Sequence, residues 1–435
     1  MSSVTGSDIT QLVTKRYQVP SDPAVLAAYL SQRRTFELQQ KQEFQEFGLR
    51  DTRWTPPRRA AETRKGLGVR SLDWSSSGDY FIVCCREKVW VCKTAPQQST
   101  HDFEVACEVS SDDDKYECAA ANPKQDHIFA LGHRSNRKLA IYDIRVDPRS
   151  GPSATGSPAR TTQPIRTPAV AKAKELGRAE MRDDWPQRLA WRPDGTVLAI
   201  ADSRDKLTIY DIRLASRPIP ASDKKYGNNS IEALAYDSLG EYLFVASQSY
   251  LEVYRGQPLP GEQRVHLSKG GAILRQTDET SAVTTLAADP GGEWMACGYD
   301  DGLVELWDLQ TMTCPKTIAC STGSIGTLSV NHDGSLLALG GPYDQMVFIW
   351  GVDTDVLVHS WAPGKEHTHI TKCKWHPRQN ILLYSLHEGS LDESYEAVYR
   401  VDMPLGERDK TVRELSAIKV VSMTDFTLPP VRAPG

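Results

Sequence analysis

Seven stretches of the chain share one order of hydrophobic and polar positions. Each opens with an apolar-alternating run that ends near an aromatic residue and passes through a turn rich in Gly, Pro and Asp. A short apolar run and a second tight turn follow, and a third run closes on Trp or Tyr. The stretches are 69–95, 116–145, 188–213, 231–255, 283–311, 325–354 and 370–404. Alternation of this length bounded by turn formers predicts β-strands. The fifth stretch is the plainest, LAADPGGEWMACGYDDGLVELWDLQ. Its first turn is Asp289-Pro290-Gly291-Gly292, a strand covers 293–297, Asp300-Asp301-Gly302 makes the second turn, and a strand over 303–307 ends at Trp307 with Asp308 behind it.

The closing aromatics are Trp90, Tyr142, Tyr210, Tyr254, Trp307, Trp350 and Tyr399, spaced 43 to 68 residues apart. One radial four-stranded sheet takes about 40–45 residues, so the longer intervals carry insertions. The reading is all-β, a seven-bladed β-propeller with an N-terminal amphipathic helix. A single blade is a small twisted sheet with two apolar faces, stable only when stacked between neighbours. The closing rings fill the wedge that widens outward and are read as core, not as ligand platforms. Outer strands are expected from the linkers 103–109, 263–267, 315–320 and 356–361. The last blade needs a strand from outside the repeats, from 60–66 or from 417–426. The N-terminal segment is favoured because joining the chain ends locks the ring.

The predicted division is a disordered leader 1–22, the helix 23–47, a basic approach segment 48–68, the propeller 69–404 and a tail 405–435. Residues 146–180 form a mostly disordered insertion rich in Pro, Ser, Thr, Ala and Arg, with Ser157-Pro158 and Thr167-Pro168 inside it. Asp22-Pro23 supplies a helix cap and a first-turn proline, and Gly48 a stop. Between them Leu26, Tyr29, Leu30, Phe36, Phe44 and Phe47 recur mostly at three- and four-residue steps and place an apolar stripe on one face. Arg33, Arg34 and Lys41 balance Glu37, Glu43 and Glu46, which argues against a membrane-surface helix. The stripe packs on the propeller or in a partner's groove.

Charge refines this division. The 435 residues carry a net charge of −5. Residues 48–70 hold seven basic side chains against two acidic ones, and 146–180 hold six against three, so the repeats themselves are acidic. Nucleic acid across the main faces is disfavoured, leaving the basic flanks as its only candidates, with Arg58, Arg59, Arg64 and Lys65 the candidate contacts. The start Met1-Ser-Ser-Val-Thr-Gly has no basic segment followed by an apolar one, and the chain holds no long apolar run, so a cytosolic or nuclear protein is expected. Nine cysteines without ligand spacing are read as buried free thiols.

Catalytic and metal motifs are lacking. No phosphate-cradling GxxxxGK[ST] or GxGxxG, no HExxH and no GxSxG occurs, so a non-enzymatic binding protein without cofactor or metal is expected. His359, His367, His369 and His376 with Glu366 are read as a solvated loop, and Asp112-Asp113-Asp114 as a solvated acidic turn. Asp205, Asp301 and Asp344 precede their closing aromatics by five or six residues, where a tight turn needs an acceptor for its own N–H groups. These three, with Trp307 and Asp308, are read as structural.

Three passages resemble the WD-repeat subunits of the THO complex, the assembly that couples transcription to messenger-RNA packaging and export. They are Phe47-Gly-Leu-Arg-Asp-Thr-Arg-Trp-Thr-Pro-Pro with Gly68-Val-Arg-Ser-Leu-Asp-Trp74, then 299–308 with 325–338, and Cys373-Lys-Trp-His-Pro-Arg-Gln-Asn-Ile-Leu-Leu-Tyr384 with the acidic insertion at 388–395. Only Trp307-Asp308 keeps the Trp-Asp pair at the close of a repeat. The resemblance implies a nuclear, non-enzymatic scaffold subunit that docks on the large helical subunits of that complex. The helix and approach segment, including Arg53 and Trp54, are then the expected partner-facing region. The same degenerate repeats suit a propeller adaptor of another machine, such as a ubiquitin-ligase substrate receptor or a chromatin-complex subunit.

Overall fold

A computed structural model describes residues 50–54, 69–94, 104–110, 114–145, 171–181, 184–213, 219–226, 230–248, 250–256, 267, 271–276, 281–321, 323–341, 346–352, 356–361, 368–388 and 395–402. β1 (Arg50–Trp54) leads, followed by β2 (Val69–Trp74), β3 (Tyr80–Cys85), β4 (Lys88–Lys93) and β5 (Glu104–Ser110) in one sheet. Next come β6 (Tyr116–Ala121), β7 (Ile128–His133) and β8 (Lys138–Asp143). Beyond the Pro/Ser-rich segment, β9 (Ala171–Lys172) joins the outer edge of β5 and β10 (Lys174–Glu180) joins β8.

Four sheets then form in chain order. They are β11 (Pro186–Trp191), β12 (Val197–Asp202), β13 (Lys206–Asp211) and β14 (Ile219–Lys225); β15 (Ile231–Tyr236), β16 (Tyr242–Ser247), β17 (Tyr250–Arg255) and β18 (Ala272–Gln276); β19 (Val283–Ala288), β20 (Trp294–Tyr299), β21 (Leu303–Asp308) and β22 (Thr313–Ala319); and β23 (Thr327–Val330), β24 (Leu336–Gly340), β25 (Val347–Gly351) and β26 (Val356–Trp361). β27 (Thr368–Trp375), β28 (Ile381–Glu388) and β29 (Tyr395–Asp402) complete the set, with β1 on the outer edge of β29.

The expected fold class is corrected on two points. Six sheets, not seven, have the four-stranded antiparallel make-up of a regular blade. The remaining one has five strands, because β9 pairs in parallel with β5 through Cys107↔Ala171 and Glu108↔Lys172. Among the described residues every extended regular element is a strand and none is an α-helix; the amphipathic helix expected over 23–47 lies outside them. The strand β9 occupies an edge whose backbone groups otherwise face solvent. The insertion expected over 146–180 is therefore partly strand.

Two outer strands also differ from expectation. The sheet of β15 to β17 takes 272–276, not 263–267, and the last sheet takes 50–54, not 60–66 or 417–426. In the first case Gln263-Arg-Val-His-Leu267 and Ala272-Ile-Leu-Arg-Gln276 have equally mixed patterns, so pairing with β17 decides between them. In the second, Arg-Asp-Thr-Arg-Trp has no apolar alternation, and its place is set by backbone pairing, Arg50↔Asp402 through Trp54↔Val398.

Short turns hold each inner hairpin. Asp289, 1 % exposed, accepts from Glu293 N–H at 3.1 Å, and Gly292 N–H donates to its carbonyl at 2.9 Å. Gly292 sits at φ +76°, where a side chain costs energy. Three other sheets use a similar placement one residue longer: Asp237 accepts from Tyr242 N–H at 2.7 Å, Asn331 from Leu336 N–H at 2.9 Å and Ser75 from Tyr80 N–H at 3.2 Å. Thus one polar side chain four or five residues back satisfies a donor that the two-strand corner leaves open.

The core lies between sheets. Each middle strand is buried on both faces, as in β20, WMACGY, and so reads as a continuous apolar run where a one-sided sheet alternates. Ile82, Val89 and Val91 meet Phe129, Leu131 and Tyr142 of the next sheet, while Phe81, Val83 and Trp90 meet Ile381 and Leu383 of the last. Each fully buried Leu or Phe contributes about 1.5–3 kcal/mol of transfer free energy. The contact of first and last sheets, together with the pairing of β1 and β29, closes a ring from both its apolar faces and its outer edge. All nine cysteines are free thiols, eight of them buried.

Candidate interaction site at the axis of the ring

The first strand of each sheet is innermost and packs beside the first strand of its neighbour. Side chains tie these strands together. Ala121 N–H donates to Asp73 Oδ2 at 2.9 Å, Ala119 N–H to Ser71 Oγ at 2.9 Å and Trp191 Nε1 to the Ala120 carbonyl at 3.1 Å. Cys373 N–H donates to Thr327 Oγ1 at 2.9 Å and Trp375 N–H to Ser329 Oγ at 3.0 Å. Trp74 Nε1 reaches the Lys374 carbonyl at 3.1 Å and so joins the first inner strand to the last. These bonds satisfy backbone groups that the inner edge of an open sheet leaves bare.

A register shift recurs near the start of the inner strands. It falls between Val69 and Ser71, Tyr116 and Cys118, Pro186 and Arg188, Ile231 and Ala233, Val283 and Thr285, and Ile370 and Lys372. A bulge leaves one residue unpaired and re-aims its side chain. The residues left unpaired are Arg70, Glu117, Gln187, Glu232, Thr284 and Thr371, all polar, and Arg188 and Lys372 follow directly after two of them.

These charges are unequally matched. Glu117 lies 3.9 Å from Arg70 Nη1 and 3.4 Å from Arg134 Nη1; Arg134 also covers the Trp185 ring at 4.8 Å. Arg188 Nη2 lies 3.7 Å from Glu232, and its Nε donates to the Glu232 carbonyl at 2.6 Å. Lys372 has no hydrogen-bonded or ion-paired partner among the described residues, and the buried Nε of Arg70 is also unpartnered. Burial first, then Arg188 and Arg70, pushes the Lys372 ammonium down to about 8. Nearby Lys374 is compensated by Asp73 at 3.6 Å. The thiols nearby are held neutral, with burial pushing Cys84 up to about 12 and Cys373 up to about 11.

Two further polar clusters lie within and between sheets. His133 Nδ1 is 2.5 Å from Asp114 Oδ2, and its Nε2 is 3.3 Å from the Tyr142 hydroxyl. Burial lowers the imidazole against the opposing pull of Asp114. The Asp114 carboxyl is raised by burial but more strongly lowered by its bonds to His133 and Asn136. Lys224 and Tyr226, from β14 and just beyond it, meet Glu252 and Tyr254 on β17: Lys224 Nζ is 3.0 Å from Glu252, and the Tyr226 hydroxyl donates to Glu252 at 2.7 Å. This second cluster joins the outer strand of one sheet to the next sheet. No group of three or more His, Cys, Asp or Glu suited to a metal occurs among the described residues.

The residues singled out from the sequence fall in several places. Leu26, Tyr29, Leu30, Phe36, Phe44, Phe47, Arg58, Arg59, Arg64, Lys65 and Asp344 lie outside the described residues. Arg53 and Trp54 lie in β1, opposite Tyr399 and Val398. Trp307 is buried and donates through Nε1 to Glu305 at 3.1 Å, while Asp308 accepts from Gln310 N–H at 2.7 Å and Thr311 N–H at 3.1 Å. Asp301 accepts from Leu303 N–H at 3.1 Å within its turn. Asp205 differs: its turn donors go to Asp202, and its own carboxylate accepts Ile231 N–H from the next sheet at 3.0 Å. Asp205 holds φ +59°, which aims its side chain across the gap.

Two solvated readings also change. Asp114 is buried against His133, and His376 is 5 % exposed, packed edge-on to Trp74 with ring centroids 4.7 Å apart and accepting Arg378 N–H at 3.0 Å. His359 stands on β26, His369 on β27, and His367 is outside the described residues. The strands spread these histidines over two sheets, so their closeness in sequence does not make a cluster. The axial residues Arg70, Glu117, Arg188, Glu232 and Lys372 were not among the expected sites. A signal was present: aligned on the shared register, VRSL, YECA, PQRL, IEAL and ITKC each put a polar residue second, with Arg188 and Lys372 one place later.

The fold and its inter-sheet aromatics define a repeat propeller, and comparison with known proteins gives the kind of repeat. Residues 272–308 match the family described as WD domain, G-beta repeat. The match places one WD repeat on the sheet of β19 to β21, with β18 before it. The chain is 27 % identical over 198 residues to THO complex subunit 3 of Arabidopsis thaliana, covering 45 % of this chain and 57 % of that one. It is 22 % identical over 209 residues to WD repeat-containing protein AAC3 of Dictyostelium discoideum, covering 47 % and 40 %. It is 30 % identical over 95 residues to ribosome biogenesis protein BOP1 of Rattus norvegicus, covering 20 % and 13 %. The chain thus spans little more than half the length of the first of these relatives and less of the others.

Proposed function

We propose that the protein is a non-enzymatic scaffold subunit of a nuclear complex of the THO kind, supporting messenger-RNP assembly and export. The observation that carries this reading is the match to a THO subunit over 198 residues, together with the three THO-like passages in the sequence. A ring closed by side-chain bonds between inner strands and by pairing of β1 with β29 supports it, because a stiff body with loops on two faces holds several partners in fixed relation. The apolar stripe of Leu26, Tyr29, Leu30, Phe36, Phe44 and Phe47 docks on the large helical subunits. Arg58, Arg59, Arg64 and Lys65 add weak, salt-sensitive contact with RNA phosphates.

Affinity purification from nuclear extract tests the reading. Transcription and export factors should co-purify with the full chain, and a chain lacking residues 1–47 should lose them at unchanged thermal stability. Recovery of ubiquitin-ligase, chromatin or ribosome-biogenesis subunits in their place would overturn it in favour of an adaptor for another machine, a reading that the shorter match to a ribosome-biogenesis protein supports.

A further inference from the structure

We propose that Glu252, Tyr254 and Tyr226 form a binding site selective for a primary ammonium group, which the chain fills with its own Lys224 and so clasps the sheet of β11 to β14 to the sheet of β15 to β18. The clasp is a property of the ring and is independent of the complex that the ring serves. Strand geometry builds it. Glu252 and Tyr254 are two residues apart on β17 and share the face turned to the preceding sheet, where Tyr254 packs with Ala199, Leu207 and Ile209; Leu251 and Val253 take the opposite face. Lys224 and Tyr226 are likewise two apart, at the end of the outer strand β14 and just beyond it, and both reach across the same gap.

The placing of protons sets the selectivity. Tyr226 donates its hydroxyl proton to Glu252 at 2.7 Å, and Tyr254 donates its own to the same carboxylate. Neither hydroxyl then has a proton for the other, although their oxygens stand 2.8 Å apart, and the Tyr254 oxygen is left as an acceptor. Lys224 Nζ donates to that oxygen and to Glu252 at 3.0 Å, and it stands 4.6 Å from the centre of the Tyr226 ring. Two oxygen acceptors and an aromatic face match the three N–H bonds of a primary ammonium. A quaternary ammonium offers no N–H to either oxygen. Glu252 and Tyr254 are buried while the Lys224 side chain is 29 % exposed, so solvent meets the site on the lysine side.

The acceptors do not depend on the lysine for their placement. The hydroxyl bonds of Tyr226 and Tyr254 to Glu252 are made without it, and they leave a buried carboxylate that attracts a cation. Burial raises the Glu252 carboxyl, but its bonds from Tyr254, Tyr226 and Lys224 lower it below its ordinary value. Burial lowers the Lys224 ammonium, and its bonds to Tyr254 and Glu252 raise it by more. On β21 the corresponding Glu305 accepts from the Tyr299 hydroxyl at 2.6 Å and from Trp307 Nε1 at 3.1 Å, so a carboxylate held by neutral donors recurs at this place in a third strand. The bond of Ile231 N–H to Asp205 and the pair of Arg188 with Glu232 tie the same two sheets, which lets the fold survive loss of the clasp.

Chemical rescue of the full chain tests the site. Lys224→Ala keeps Cβ and removes the atoms of a propylammonium group. The variant should melt below the unaltered chain, and n-propylammonium chloride should restore at least half of the lost thermal midpoint, whereas tetramethylammonium and sodium chloride at the same ionic strength restore none. The unaltered chain, its site already filled, should not respond, nor should Lys206→Ala, whose partner Asp223 is exposed. Lys224→Met, which fills the space of the stem with an apolar chain, should be destabilised and not rescued. In the unaltered chain, brief acylation with acetic anhydride followed by mass spectrometry should label Lys224 several-fold more slowly than the exposed Lys225 beside it, a measurement that needs no variant to fold. An undiminished midpoint or absent rescue in Lys224→Ala, equal rescue by tetramethylammonium, an equal response of Lys206→Ala, or equal labelling of Lys224 and Lys225 would overturn the proposal.

Discussion

Replacing Gly78 by Ala puts a methyl group where two constraints coincide. Gly78 has φ +83°, and a Cβ there would stand 1.9 Å from His376 Nε2 and 2.2 Å from its Cε1. The left-handed backbone alone costs an L-residue about 1–2 kcal/mol. The imidazole has no easy retreat, since it packs on Trp74 and accepts Arg378 N–H at 3.0 Å. Displacing it forfeits about 1 kcal/mol of hydrogen bond and about 1 kcal/mol of ring contact. The expected loss is about 3–4 kcal/mol. Gly292→Ala is the matched control: it has φ +76° in the corresponding turn of another sheet, but its Cβ meets Leu239 Cγ at 3.0 Å, and Leu239 is 60 % exposed and free to swing away. That variant should lose only the backbone cost of about 1–2 kcal/mol. Urea unfolding followed by tryptophan fluorescence, with equal slopes checked for both variants, gives the comparison. Equal losses would refute the argument, because they would mean that His376 is not fixed where the first and last sheets meet.

Three other outcomes follow from the same geometry. His133 is lowered from 6.5 by burial, so the unfolded chain binds its proton first as pH falls; stability is present above about 6.5 and is lost below it, and His133→Gln should flatten the thermal midpoint measured between pH 7 and 5. Asp114, lowered from 3.8, adds a second loss only at more acid pH. Asp205→Ala should cost about 1–2 kcal/mol in chemical denaturation by orphaning Ile231 N–H, whereas Asp205→Asn should cost little; equal effects would sink the cross-sheet role. A chain lacking residues 1–60 should melt below one lacking 1–47, because only the former loses β1 and bares the edge of β29 to amide exchange.

Local signals carried much of the architecture into the sequence. A period of about one blade, polar turn residues at fixed offsets and aromatics such as Trp90, Tyr142, Tyr210, Tyr254 and Trp307 were enough to specify third strands and inter-sheet rings, since each depends on neighbours within a few residues. Partner strands separated by long gaps were not legible. β1 has no strand pattern of its own and exists because β29 offers an unpaired edge roughly 350 residues later, a choice made by backbone pairing that side-chain periodicity does not encode. β9 is two residues of a basic, small-residue tract that settles on another free edge.

The chemistry divides in the same way. Asp301 and Asp308 cap turns they belong to, and sequence spacing suffices to find them. Asp205, read as the acceptor of its own turn, instead bonds the next sheet, and His376 and Asp114, read as solvated, are covered by Trp74 of another sheet and by His133 of the paired strand, contacts that local spacing does not show. The axial charges are a sharper case: Arg70, Glu117, Arg188, Glu232 and Lys372 are scattered over about 300 residues, and each alone is an unremarkable polar residue in a strand. The sequence by itself determined the repeat, its turns and its wedge-filling rings, because these are local. Only the closed ring decided which edges pair and which charges share an axis, because both depend on contacts between segments far apart in the chain.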